Sequence, residues 1–155
     1  MKLHLCAVGR LRAGPERALV DDWLARFDRT GRALGLGPVM EHEVEAKSGG
    51  MPAEAALLSR AIPDGAVLVT LDERGAQLTS PEFAAMLADW RDRGRQDLAM
   101  VIGGADGIDP SLRARADVSV AFGRMVWPHL LVRAMAAEQL YRAVQILAGT
   151  PYHRG

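Results

Sequence analysis

Three runs in this chain are apolar without alternation: residues 3–9 (LHLCAVG), 66–73 (AVLVTLDE) and 98–104 (LAMVIGG). A strand with one wet face alternates apolar and polar residues, so continuous runs predict strands covered on both faces, as in a parallel sheet. Residues 39–44 and 118–123 predict two further strands. Between the strands the apolar period lengthens. From Pro15, a favoured first-turn residue, Leu19, Trp23 and Phe27 recur every four positions with Val20 and Leu24 beside them. In SPEFAAMLADWRDRG, Ser80 is the expected cap, Pro81 opens the helix, Phe83, Met86, Leu87 and Trp90 share a face, and Gly94 stops it. A polar, glycine-rich loop through Lys47 to Pro52 precedes the helix AEAALLSRAI, and Pro110 opens a short helix before the fifth strand. Strands alternating with helices predict an α/β class, with a mostly parallel sheet flanked by helices on both faces. At 155 residues, with no repeat or linker, the chain reads as one domain, 1–155.

The last helix follows GRMVWPH. Leu130, Ala134, Ala137, Tyr141, Val144 and Ala148 form a continuous face in which small residues admit a close neighbour. A second apolar row, Leu131, Met135, Leu140 and Leu147, exceeds one sheet contact and fits either a subunit interface or a deeply buried helix. His129 and Arg133 stand one turn apart, and Glu138 precedes Arg142 in the order that favours an intrahelical ion pair.

Composition narrows the function classes. Lys plus Arg equal Asp plus Glu at 19 each, which disfavours indiscriminate binding of nucleic acid and leaves room for a local arginine cluster. No apolar run approaches the roughly 20 residues that span a bilayer, and the N-terminus lacks a signal-peptide pattern, so a cytoplasmic protein is expected. The lone Cys6 predicts a small buried hydrophobe. His4, His42, His129 and His153 show no metal-ligand spacing, so no metal is expected.

Candidate chemistry sits in two places. IGGADGID follows a strand, and its glycines let the main chain turn sharply and approach a ligand. The GGxxG spacing and its position after a late strand fit a dinucleotide fingerprint poorly, and no GK[ST] is present. The tail, TPYHRG, carries a phenol, an imidazole and a guanidinium on three consecutive residues. It is either an anchored stub or part of a site.

Taken together, KLHLCAVG, LDERG, VIGGADG and FGRMVWPHLLVRAMAAEQLYRAVQILAGTPYH resemble the RlmH family of SPOUT-class RNA methyltransferases, which methylate N3 of a pseudouridine in large-subunit ribosomal RNA. The resemblance runs nearly end to end; residues 40–52 are less typical, and Trp23 and Phe27 stand where relatives more often carry tyrosine. It implies a SPOUT-type α/β knot with a C-terminal trefoil, a homodimer, and S-adenosylmethionine (SAM) held by Leu71, Gly103, Gly104 and the segment Phe122, Gly123, Arg124, Met125, Val126 and Trp127. It also implies catalytic roles for His129, Tyr152, His153 and Arg154; Arg124, Arg133 and Arg142 are expected to contact RNA or to shape the site, and Arg154 to contact RNA. The tail is then expected over the bound methyl group. Other acceptors, such as a tRNA base, and a non-catalytic ribosome-associated module are the competing readings.

Overall fold

A computed structural model describes residues 1–155. The elements run β1 (Lys2–Val8), α1 (Pro15–Gly31), a short 3-10 turn (Arg32–Leu34), β2 (Val39–Val44), α2 (Gly50–Ala61), β3 (Val67–Gln77), α3 (Ser80–Asp92), β4 (Asp97–Ile102), α4 (Pro110–Ala114), β5 (Val118–Ala121) and α5 (His129–Ala148). All four strand pairings are parallel, in the order β2-β1-β4-β3-β5.

Strand residues alternate between two cores, as the pleat requires. Leu3, Leu5 and Ala7 of β1 join Val20, Leu24 and Phe27 of α1, Leu87 of α3 and Ala137 of α5. Cys6 and Val8 face Ala55 and Leu58 of α2 and Leu112 of α4. Thus α1, α3 and α5 cover one face, and α2 and α4 the other. Helix α5 lies between α1 and α3, and its buried alanines at 134, 136, 137 and 143 permit that close seating. No helix is long and apolar enough to cross a membrane.

Four details differ from the sequence expectation. Thr79, and not Ser80, caps α3: its hydroxyl accepts from the Glu82 N–H while the Glu82 carboxylate accepts from the Thr79 N–H, a reciprocal capping box. Helix α2 begins at Gly50, so the preceding loop is shorter than expected. Strand β3 extends to Gln77 through an irregularity between Leu71 and Ala76 in its pairing with β5. Leu19 points outward at 44 % exposure, because Val20, Leu24 and Phe27 form the true inner face of α1. Cys6 is fully buried, and burial pushes its thiol up to about 12, which leaves it protonated and inert.

Candidate functional site

In a parallel sheet every strand points the same way, so the loops after the strands gather on one rim, where such sheets bind ligands. The irregular segment 71–75 of β3, the loops after β4 and β5 and the first turn of α5 enclose a cavity of about 650 Å³ there. That volume suits a ligand of cofactor size. Its inner walls are apolar: Leu71 at the irregularity of β3, Ile102 at the end of β4, Ile108, Val120, Phe122 and Val132. Its rim carries Asp72, Glu73, Arg74, Asp106 and His129.

Gly103 and Gly107 shape the β4 loop. A β-carbon on Gly103 would stand 2.4 Å from the Gly107 carbonyl oxygen and 2.5 Å from its carbon, so only glycine fits. Gly107 has a φ of 88°, and its N–H closes the turn onto the Gly104 carbonyl at 3.0 Å. After β5, the Trp127 indole N–H donates to the Phe122 carbonyl at 3.3 Å and folds the segment back on itself. Met125 and Val126 remain 73 % and 76 % exposed at the cavity mouth.

Asp72 fixes the β3 loop. Its carboxylate accepts from the Arg74 backbone N–H at 2.9 Å, from the Arg74 guanidinium at 2.9 and 3.1 Å, and from Arg113 at 3.2 Å. Burial pushes this carboxyl up, but the donors outweigh it and bring it down to about 2. A depressed carboxyl stabilises the fold above its unfolded value of 3.8, and that contribution is lost as pH falls toward 2. Asp72→Asn is therefore expected to cost about 2 kcal/mol at neutral pH and to remove this part of the acid sensitivity. Thermal melts from pH 7 to pH 2 check both; parallel curves for the two proteins would contradict the assignment.

Of the residues expected in the cofactor site, Leu71, Gly103, Gly104, Phe122, Gly123, Met125, Val126 and Trp127 line the cavity, and His129, expected as catalytic, lines it with them. Arg124 is exposed, makes no ion pair, and is not part of the lining. Asp72, Glu73, Asp106 and Val132 were missed. The acids of LDERG were the available signal, since a carboxylate two residues before an arginine at a strand end can lock a loop.

Arg133 corrects the RNA-contact expectation. It is 1 % exposed and donates to Glu43 at 2.6 Å and to the carbonyls of Gly9 at 2.8 Å and Val8 at 3.3 Å. A neighbouring pair, Arg17 and Glu41, meets through two hydrogen bonds of 3.0 and 2.6 Å. Burial raises the Glu43 carboxyl, yet the Leu11 N–H and Arg133 bring it below its ordinary value; in Glu41 burial wins over Arg17 and Arg133. Such a guanidinium cannot reach a phosphate; it staples α5 to the ends of β1 and β2.

Within one chain the tail lies away from the cavity. Tyr152 donates to Glu138 at 3.0 Å and packs edge-on against Tyr141 at 4.8 Å and Trp23 at 6.1 Å. Arg142 lies over the Tyr152 ring at 4.9 Å and is paired with Glu138 at 2.6 Å, the intrahelical pair rather than a free RNA contact. Glu138 is nine residues along α5 from His129, roughly 14 Å at the helical rise, and none of Tyr152, His153 or Arg154 lines the cavity of its own subunit. His153 Nδ1 faces Arg142 at 3.3 Å. Because a guanidinium only donates, Nδ1 is the acceptor in that contact. His4, by contrast, meets His42 at 3.0 Å and Asp97 at 2.8 Å, a cluster far from the spacing of its members in sequence. Neither this cluster nor any other set of His, Cys, Asp and Glu side chains is arranged to hold a metal ion.

A family model described as "Predicted SPOUT methyltransferase" matches residues 1–153. Similar proteins include the ribosomal RNA large subunit methyltransferase H of Ruegeria pomeroyi, 71 % identical over 99 % of both chains, and that of Roseobacter denitrificans, 67 % identical over the same share. Among solved structures, a probable methylase family protein from Haemophilus influenzae aligns with a TM-score of 0.53 at 11 % identity, covering 99 % of this chain and 70 % of that one. A probable methyltransferase from Bordetella pertussis aligns at 0.52 and 14 % identity, covering 92 % and 96 %. At those identities the likeness concerns the fold alone.

Proposed function

The chain belongs to the SPOUT methyltransferase family, and from that membership and the three-loop cavity we infer that it transfers a methyl group from SAM to large-subunit ribosomal RNA. The observation that carries the acceptor is full-length identity of 71 % to a ribosomal RNA large subunit methyltransferase H. The residues present fit the donor: apolar walls for an adenine and a thioether chain, and a β4 loop whose main chain comes where a β-carbon would collide. Bound SAM supplies an electrophilic methyl group. Leu71, Gly103, Gly104 and the segment 122–127 hold and shield it.

The acceptor is N3 of a pseudouridine, a weak nucleophile until its proton leaves. The site must take that proton or stabilise the charge spreading onto the flanking carbonyl oxygens. His129, on the cavity rim in the first turn of α5, is the proton acceptor within the subunit. The N–H groups of that turn, which no side chain caps, add positive potential toward the forming anion.

The protein acts as a cytoplasmic homodimer in which the segment from β5 into α5 is knotted. The half-exposed row Leu131, Met135 and Leu147, together with exposed Leu19, supports a second copy packing on α1 and α5. In that arrangement the tail serves in trans: Tyr152 anchors it, and His153 and Arg154 reach the partner's cavity, Arg154 holding an RNA phosphate or a developing oxyanion and His153, released from its contact with Arg142, assisting deprotonation. Arg124, free and exposed beside the cavity, contacts RNA.

Deleting residues 152–155 is expected to lower methyl transfer at least 100-fold with SAM affinity unchanged. Since Tyr152 also anchors to Glu138, His153→Ala/Arg154→Ala is the companion variant, with circular dichroism and sedimentation as checks on fold and dimer. Undiminished transfer by a folded dimer of either variant would exclude the tail from the reaction. Comparing ribosomes with tRNA as acceptors tests the RNA class, and preferential labelling of tRNA would overturn it.

A further inference from the structure

The loop after β1 reads GRLRAG, and its middle residue behaves unlike its neighbours. Leu11 is 6 % exposed, whereas Arg10 and Arg12 on either side of it are exposed. The backbone is pinned from several directions. The Leu11 N–H donates to the Glu43 carboxylate, which also accepts from Arg133 at 2.6 Å. The Gly9 N–H donates to the Val44 carbonyl at 2.8 Å, and the Gly9 carbonyl accepts from Arg133 at 2.8 Å. A loop residue that is both buried and hydrogen-bonded holds its neighbours at fixed positions, so the exposed side chains of Arg10 and Arg12 leave a pinned base.

Neither of these arginines has a hydrogen-bond or carboxylate partner, in contrast to Arg17, Arg74, Arg113, Arg133 and Arg142. The carboxylates closest in the network, Glu41 and Glu43, are already engaged by Arg17 and Arg133. The charge of Arg10 and Arg12 is therefore not cancelled locally, even though the whole chain is neutral. Their place is also specific. Arg133, which grips Gly9, lies one turn after His129 on α5, so the loop and the cavity rim are joined through a single buried side chain.

We propose that Arg10 and Arg12 form a phosphate clamp for the RNA acceptor, binding backbone phosphates that flank the nucleotide presented to the cavity; this rests on the RNA-methyltransferase reading above. Arginine suits the task because its planar fork of donors pairs with phosphate oxygens, and a pinned loop loses little freedom on binding. The clamp supplies register and affinity without reading bases. It also gives Arg133 an indirect part in acceptor placement: the residue expected to touch RNA instead holds the loop that does.

The test is a salt titration of binding to ribosomal large subunits by the wild-type protein, Arg10→Gln/Arg12→Gln and Arg10→Lys/Arg12→Lys. Two lost phosphate contacts are expected to reduce the slope of log affinity against log salt by about 1.4 to 1.8. The KM for the RNA acceptor is expected to rise about tenfold in the glutamine variant, with kcat at saturation and SAM affinity unchanged, and the lysine variant is expected to keep the wild-type slope. An unchanged slope and KM in the glutamine variant, with the wild type methylating normally, would overturn the clamp alone. Equal loss of SAM affinity would overturn it too, since the effect would then lie in the cofactor site. A wild type that neither binds nor methylates the subunit would overturn the methyltransferase reading and the clamp with it.

Discussion

Gly103→Ala is expected to abolish SAM binding, by a factor of at least 100 in affinity. The reason is steric and local. The new methyl group would lie 2.4 Å from the Gly107 carbonyl oxygen and 2.9 Å from Ile108 Cγ1, and backbone cannot rotate aside as a flexible side chain can. The turn closed by the Gly107 N–H on the Gly104 carbonyl has to open, and the proposed cofactor loop loses the shape that brings its main chain to the ligand. Gly104→Ala is the internal control. Its β-carbon would meet Val8 Cγ1 at 3.1 Å and Glu54 oxygens at 3.3 and 3.4 Å, side-chain atoms that can yield, so a loss of about tenfold or less is expected. Calorimetric titration with SAM measures both, and equal affinities for the two variants would remove the steric account.

Arg133→Met is expected to have the largest effect on stability, about 3 kcal/mol, or a fall of roughly 10 °C in the melting midpoint of a chain this size. The methionine fills much of the space but leaves the carbonyls of Val8 and Gly9 without a donor and Glu43 without its cation. Adding Glu43→Gln should cost less than the sum of the single changes, because the second substitution removes a charge already stripped of its partner. The first turn of α5 and the β1 loop should loosen together, so methyl transfer falls as well. An Arg133→Met protein with wild-type stability and weakened RNA binding would restore the surface role that its burial argues against.

What the sequence disclosed and what it withheld follow a physical division. Unbroken apolar runs placed β1, β3 and β4, because burial on both faces leaves no polar alternation to conceal them; β2 and β5 were read from shorter segments interrupted by polar residues. Helix α1 was readable from Pro15, yet Leu19 was assigned to the wrong side, since a four-residue period drifts around a helix of 3.6 residues per turn. The T-x-x-E of Thr79 and Glu82 was present to be read, and Ser80 next to it was the more conspicuous cap. Arg133 and the tail were illegible for another reason. Arginine on an amphipathic helix normally faces water, and the partners that bury this one lie 90 to 125 residues away. The position of Tyr152 depends on Trp23 and Tyr141, which only the packing of α1 against α5 brings together. The three segments that the resemblance assigns to the cofactor border one cavity; the resemblance said nothing about which distant residues hold those segments still.

The central claim is the chemistry, and one measurement addresses it most directly: transfer of labelled methyl from SAM to purified ribosomes, run beside free ribosomal RNA and beside ribosomes lacking the pseudouridine, with the labelled nucleoside identified by mass spectrometry. The expected result is label on N3 of one pseudouridine in the large-subunit RNA of intact ribosomes and none where that pseudouridine is missing. Label on a different nucleoside, or SAM binding with no transfer to any ribosomal acceptor, would contradict it.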